Sequence, residues 1–440
     1  MDSRVAPIAS LDKYNVSLFR RVWSGTTIPM AIICMTLWEP TMARDEQRVD
    51  WIRNGLSREG LDAVICSLPT HVLLISGYWP VVGTALALAT RDGVVAIIAP
   101  EDERELAERG WADHLRLFQP GSLERITTAE QSVRQPLAAL ISTLGLSRAR
   151  LGYEEAQAYE PVSYASMHLY GAAVPELLHY VPPQAQLAPA SSLLQRLASL
   201  KTPLELSRVR TACRMVAEAF DYGAARLKPG VSETEAAALF RGRLSADWNP
   251  GETARAGGFV FCMSGPNSAT AYGAYARSRQ RLLQPHDLVL VHCNSYAGGH
   301  WTDVTRTYCL GRPDERQRAM YAAVAEARAA ALAAIRPGAR AAEVDHAARS
   351  VLRERGFGDA FKHATGHGVG FAAIDHDARP RLHPKSDDVL EPGMLFNVEP
   401  AIYIEDYGGI RHCDMVTITG QGPEVLTPFQ GEMHELWRDV

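Results

Sequence analysis

The sequence predicts an α+β protein, a small α/β unit followed by a larger unit of two similar α/β halves. Three observations carry this reading. Apolar runs alternate with helical patterns between residues 43 and 155, as expected of a layered α/β unit. A Pro/Ala/Ser-rich stretch, PPQAQLAPASSLL (182–194), then reads as a linker. Beyond it one pattern occurs twice. VAEA at 216–219 returns at 324–327, Pro229-Gly230 returns as Pro337-Gly338, and Glu235 as Glu343, each at an offset of 108 residues. A shared register is better explained by duplication than by chance alanine content. Two such halves would face each other across a pseudo-two-fold axis, and a site at their junction would draw residues from both.

Taken in order, residues 43–64 read as an amphipathic helix ending at Gly60. AVICSL (63–68), HVLLIS (71–76) and GVVAIIAP (93–100) read as strands. RLFQPGSLERI (116–126) reads as helix and ARLGYEE (149–155) as strand. A new unit opens at Lys201. Thr202-Pro203-Leu204-Glu205 is a capping box with proline at the first helical position. The long helix it starts runs to about Leu227 and stops at Lys228-Pro229-Gly230, and Ser232 to Glu235 cap the next one. The expected division is an extension, 1–41, an N-terminal domain, 42–190, and a C-terminal domain, 195–440.

Composition narrows the function classes. The chain has 440 residues, 47% hydrophobic and 22% charged, with a formal net charge of −5. That is ordinary globular composition and supports sizeable cores. No basic run of five or more occurs, so nucleic acid is not an expected partner. Seven cysteines are scattered without a C-x-x-C pair, which reads as free thiols in a reducing compartment. TTIPMAIICMTLW (26–38) follows Arg20 and Arg21, as in a leader, but is too short to span a bilayer and precedes no small-residue cleavage site. It reads as a disordered extension, or as a start placed too early with Met42 as the true one. The expectation is a cytoplasmic protein with no membrane partner.

Four stretches place acid, imidazole or thiol groups in otherwise apolar patterns. They are VHCNSYAGGHWTDVTRTY (291–308) with His292, His300 and Asp303, HATGHGVG (363–370) with His363 and His367, LFNVEPAIY (395–403) with Glu399, and GGIRHCDMVTI (408–418). In the last, period-two alternation puts Arg411 and Cys413 on one face and His412 and Asp414 on the other. Such groups weaken a buried strand unless something binds them.

From about residue 200 onward the chain resembles the pita-bread metallopeptidase family: aminopeptidase P, prolidase, methionine aminopeptidase and the non-peptidase creatinase. The motifs that carry the resemblance are SGPNSA (264–269), TDVTRT (302–307), GHGVG (366–370), EPGMLFNVEPAIY (391–403) and GGIRHCDMVTIT (408–419). It implies duplicated halves around a curved antiparallel sheet, preceded by a creatinase-type α/β domain, and it covers nearly everything after residue 45. It also implies a site of five ligands around two metal ions, Asp, Asp, His, Glu and Glu. Asp303, His367 and Glu399 match three of these. His292 stands at the first aspartate position and Cys413 at the last glutamate position. A substrate-holding histidine of the family aligns near Tyr272, and His300 lies off the ligand face.

Imidazole and thiolate are softer than carboxylate, and the lost glutamate is the one that bridges both ions. The expected cofactor is therefore one divalent transition metal ion held by Asp303, His367 and Glu399 with help from Cys413 or His292. Zinc or iron suits this set, with manganese, cobalt or copper as further options. His376 in AIDHDARPRL is the candidate for proton transfer or substrate contact, with Asp377 beside it. Arg411 is placed to bind a carboxylate or orient a ligand. His363 and His383 read as exposed loop residues. The resemblance implies a metal-dependent hydrolase of C–N bonds, similar to Xaa-Pro aminopeptidase or prolidase, acting as a homodimer on a short peptide or small molecule. Two alternatives remain: a small-molecule hydrolase or lyase on the same fold, and an inactive binding protein.

Overall fold

In the computed structural model, residues 44–438 are described except 82–84, 122, 125, 156–176, 179–183, 246–254, 274–275 and 374–377. The expected extension, 1–41, lies outside the described residues. The helix Glu46–Glu59 buries Val49, Ile52 and Leu56 along one stripe. Asp45 accepts the Arg48 amide at 3.0 Å and caps its start, and Gly60, at φ 63°, closes it. Six strands follow: β1 (Ala63–Cys66), β2 (Leu86–Thr90), β3 (Val95–Pro100), β4 (His114–Phe118), β5 (Arg150–Tyr153) and β6 (Gln186–Pro189). They form one mixed sheet in the order β4-β3-β2-β1-β5-β6.

Three sequence expectations fail in this unit. HVLLIS is helical, within Pro69–Ser76, not a strand. Nearly all its residues are buried, so no face is polar and the helical period is hidden. The signals that decide it flank the run: Pro69 at the first helical position and Gly77 at φ 70°. Its start is capped from far away, because Glu154 Oε1 accepts the Ser67 and Leu68 amides while Oε2 lies 2.6 Å from His71 Nδ1. RLFQPGSLERI is not helical at its described residues; the first of them end β4, and the helix Ala129–Thr143 begins only after Thr128. Pro120-Gly121 stands where a helix would have to pass. Within the presumed linker, Gln186–Pro189 pairs in parallel with β5.

The second unit opens as expected. Capping boxes start the helices Pro203–Ala224 and Glu233–Leu244. The matching pair in the second half is Glu315–Ala334 and Ala341–Glu354. Gly230 and Gly338, at equivalent places in the repeat, share a left-handed conformation with φ 87° and 83°. That shared turn is structural support for the duplication. Glu205 also ties the two units together. It receives both the Nε and Nη2 of fully buried Arg48, at 2.9 and 2.5 Å, while closing its own capping box.

The first half supplies β7 (Ala256–Ser264), β8 (Leu288–Ala297), β9 (His300–Trp301) and β10 (Val304–Leu310). The second supplies β11 (Leu395–Val398), β12 (Ala401–Ile404), β13 (Gly408–Arg411), β14 (Asp414–Thr419) and β15 (Gly422–Val425), and β16 (Trp437–Arg438) returns to the edge of β10. The halves meet at one seam, where Thr305 and Cys413 exchange backbone hydrogen bonds of 3.3 and 3.0 Å. Across that seam runs a row of paired residues, Phe261, His292, Thr305 and Cys413. None of the described helices is long and apolar enough to cross a membrane.

Candidate metal centre

The seam gathers the polar residues that the sequence singled out. Asp303 precedes β10, Glu399 follows β11, and Cys413 sits between β13 and β14. Each offers a ligand atom within 4.8 Å of those of the other two, and all three are buried. His367 comes from the glycine-rich turn beside them. Its Nε2 lies 3.6 Å from Asp303 Oδ2 and 4.0 Å from Glu399 Oε1. The glycines permit this approach: a Cβ on Gly366 would lie 2.0 Å from the Asn397 carbonyl oxygen.

The protonation of His367 follows from its neighbours. Its amide donates to Asn397 Oδ1 at 2.7 Å, so the Asn397 amino group is what faces Nε2 at 3.2 Å. Nε2 therefore carries the lone pair, and Nδ1–H donates to the Gly368 carbonyl at 3.0 Å. A ring fixed through one nitrogen with the other turned toward carboxylates is the arrangement of a metal-binding histidine.

The two substituted positions differ in character. Cys413 Sγ donates to the Asp303 carbonyl at 3.2 Å and lies 3.6 Å from Asp303 Oδ1. Burial pushes its thiol pKa well up, and Asp303 and Glu399 push it further, so without a cation it is protonated. His292 Nδ1 lies 3.5 Å from Asp303 Oδ1 and 3.0 Å from Thr305 Oγ1, and Nε2 is 3.1 Å from Asn294 Oδ1. Burial lowers its pKa to about 4 despite Asp303, leaving the ring neutral.

Arg411 enters the same space. Its Nη1 is 3.7 Å from Glu399 Oε2 and its Nε donates to Thr305 Oγ1 at 3.0 Å. Burial opposes its charge, but Tyr403, Glu399 and Asp303 outweigh that and hold its pKa above the ordinary arginine value. The donor set of two carboxylates, one imidazole and one thiol fits a single divalent cation. The guanidinium already offsets part of the negative charge that a second would need.

Above these residues opens a cleft of about 420 Å³, whose walls include Tyr272, His363, Arg381, His383 and Lys385. Tyr272 is 46% exposed and stands at the rim, its ring 5.4 Å from that of Tyr403, with Lys362 Nζ 4.9 Å away. His363 is not the exposed loop residue expected. Its Nδ1 meets the Ala364 carbonyl at 2.7 Å and its Nε2 the Tyr403 hydroxyl at 3.0 Å. Burial, then Arg411, lowers its pKa to about 4. The H-x-x-x-H spacing of His363 and His367 was the signal available in the sequence. Asn294, Thr305, Asn397 and Tyr403 were missed as well. His383 is exposed on the cleft wall, and His300 is buried against Phe371, away from the donors. His376 and Asp377 lie outside the described residues.

Comparison with known proteins agrees with this geometry. Residues 207–420 match metallopeptidase family M24, and residues 48–197 match the creatinase/prolidase N-terminal domain. An uncharacterized peptidase of Bacillus subtilis is 26% identical over 88% of this chain and 99% of its own length. An Xaa-Pro dipeptidase of Pyrococcus furiosus is 32% identical over 55% of this chain and 66% of its own. Among solved structures, the prolidase of Pyrococcus horikoshii superposes with a TM-score of 0.70 at 25% identity, over 88% of this chain and 99% of the other. The chain belongs to metallopeptidase family M24, with a creatinase-type domain ahead of a pita-bread catalytic domain.

Proposed function

We propose that this protein is a prolidase-type hydrolase that holds one divalent cation on Asp303, His367, Glu399 and Cys413, and that it cleaves Xaa-Pro dipeptides. The observation that carries the reading is the cluster of Asp303, Glu399 and Cys413, with His367 Nε2 beside the two carboxylates, next to a basic-walled cleft that His367 and Glu399 line. Zinc or iron suits a set that mixes carboxylate, imidazole and thiol. A cation held by these four residues would supply Lewis acidity for the scissile carbonyl and the attacking water. Hydrolysis then adds hydroxyl to the acyl carbon and a proton to the prolyl nitrogen.

The chain's own residues supply orientation. Arg381, on the cleft wall, is held by Asp388, which accepts its amide at 2.9 Å and lies 3.3 Å from its Nε. With Lys385 beside it, this wall suits the free carboxylate of a dipeptide. Neutral His363 donates through Nδ1 to the Ala364 carbonyl and accepts the Tyr403 hydroxyl at Nε2, so it holds Tyr403 in place beside the cleft. His376 and Asp377 keep their assignment to proton transfer or substrate contact on sequence grounds. Buried free thiols at all six described cysteines support a reducing, cytoplasmic setting, and the family resemblance supports a homodimer.

The test is turnover of an Xaa-Pro dipeptide by zinc- or iron-loaded protein, beside the same dipeptide with an amidated C-terminus. Cleavage of the free acid at least about tenfold faster than the amide supports the reading. Equal rates refute the carboxylate wall. No cleavage of either by fully loaded protein refutes the prolidase assignment.

A further inference from the structure

We propose that the hydrogen-bonded chain Arg411–Thr305–His292–Asn294 fills the place a second cation would need, so that His292 is a positioning residue outside the metal shell. The inference rests on the reading of Asp303, His367, Glu399 and Cys413 as a cation site. It is decided by the directions of the hydrogen bonds. Arg411 Nε only donates, so Thr305 Oγ1 is its acceptor at 3.0 Å. Asn294 Nδ2 donates to the Thr302 carbonyl at 3.2 Å, which turns Oδ1 toward His292 Nε2 at 3.1 Å. Nε2 must then carry the ring proton. Nδ1 keeps the lone pair and receives the Thr305 hydroxyl proton at 3.0 Å. The chain is satisfied from end to end, and the ring's metal-binding atom is already engaged.

Packing and charge agree. The Phe261 ring lies parallel to the imidazole, with 3° between planes and 6.5 Å between centroids, and fixes its tilt. The carboxylates that act on Arg411 among the described residues are Glu399 and Asp303. Two carboxylates and one guanidinium leave a single net negative charge around the centre, which one dication already exceeds. A second would add two further uncompensated positive charges in a buried site, which is strongly unfavourable.

The experiment is cobalt titration of the purified full-length chain, read by metal per chain and by the visible cobalt spectrum, with far-UV circular dichroism as the folding control. The wild type should take one equivalent. His292→Leu should keep that equivalent with its spectrum, losing less than about tenfold in affinity. His367→Ala should lose more than about a hundredfold. The rate of Xaa-Pro cleavage should fall in His292→Leu and recover in His292→Gln, whose amide can repeat both hydrogen bonds. The double variant His292→Asp/Cys413→Glu should take a second equivalent. Loss of tenfold or more in His292→Leu, loss of its cobalt spectrum, or two equivalents in the wild type would overturn the inference while leaving the cation site standing. A wild type that takes no cobalt, and that His367→Ala leaves unchanged, would instead remove the cation site and the inference with it.

Discussion

Residues 411–414 carry charge on both faces of one short segment, and the two faces are treated in opposite ways. On one side Asp414 is fully supplied. Its Oδ1 receives Arg306 Nη2 at 2.7 Å and Thr427 Oγ1 at 2.9 Å, and its Oδ2 receives Arg328 Nε at 2.5 Å. Arg306 spends its remaining donors on the carbonyls of Thr305, Cys413, Thr427 and Phe429. On the other side, among the described residues, Glu399 has Arg411 at 3.7 Å and His367 at 4.0 Å, both beyond hydrogen-bonding reach, and Asp303 has a thiol at 3.6 Å and the imidazoles of His292 and His367 at 3.5 and 3.6 Å. A buried carboxylate with every lone pair engaged is a structural element; one left short of donors is costly unless a cation completes it. Period-two alternation alone separates the two roles.

The largest expected effect removes a donor from the undersupplied face. Glu399→Gln should lower kcat/KM for an Xaa-Pro dipeptide by about a thousandfold or more and weaken cation uptake. In metal-free protein its thermal midpoint should hold or rise slightly, because an uncompensated buried charge has gone. A large drop in midpoint would mean that Glu399 is structural and would erase the contrast.

The opposite face should show the reverse. Asp414→Asn leaves Arg306 buried without its counter-charge, at a cost of about 3–5 kcal/mol. For a unit of this size that corresponds to a thermal midpoint about 10 °C lower. The variant should still take up one cation, measured as metal per chain. Loss of metal with an unchanged midpoint would place Asp414 with the centre instead.

The pH dependence separates histidines from carboxylates on the paired side. His412 is buried, its Nε2 approaching Asp414 Oδ2 to 3.4 Å without hydrogen-bond alignment. Burial, then Arg306, lowers its pKa to about 4. His300 is lowered too, by burial and then Arg208. The unfolded chain takes up protons at both sites below about pH 6.5, and the folded chain does not. Stability therefore falls as pH drops from about 6.5 toward about 4. The Asp414 pKa is depressed in the folded state, with Arg306 and His412 outweighing burial, so its contribution persists above its unfolded value and is lost only in stronger acid. Thermal midpoints of metal-free protein should show these two limbs in that order. His300, His292 and His363 contribute to the same limb, so His412→Phe should make the upper limb shallower without abolishing it, and an unchanged upper limb would reject the assignment of His412.

How much of this the sequence disclosed depends on how local each cause is. The capping boxes at Thr202 and Ser232 were legible because a cap is written within four residues. The glycine stops at Gly60 and Gly230 were legible for the same reason. Asp303, His367 and Glu399 stood out as polar groups in apolar runs. HVLLIS was misread because burial on all sides removes the polar face on which periodicity depends. Gln186–Pro189 was misread because its composition suits a linker, while its pairing with β5 is a tertiary event. His363 reads as exposed, and Thr305 goes unremarked, because their partners, Tyr403 and Arg411, lie far along the chain. The hydrogen-bond partners of His292, Thr305 and Asn294, likewise come together only in the assembled seam.

The smallest effect tests whether the two faces are insulated from each other. Thr427 Oγ1 donates to Asp414 Oδ1 and accepts the Met415 amide at 3.0 Å. Thr427→Val keeps the volume, removes both bonds and leaves one buried amide unpaired, a cost of about 1–2 kcal/mol. Arg306 and Arg328 still hold Asp414, so the midpoint should fall by only about 2–6 °C. Cation affinity should not change, because Thr427 acts on the side of β14 that turns away from Cys413. If affinity did fall in step with the midpoint, the strand would be transmitting strain between faces, and the paired cluster would be a support of the metal centre as well as of the fold.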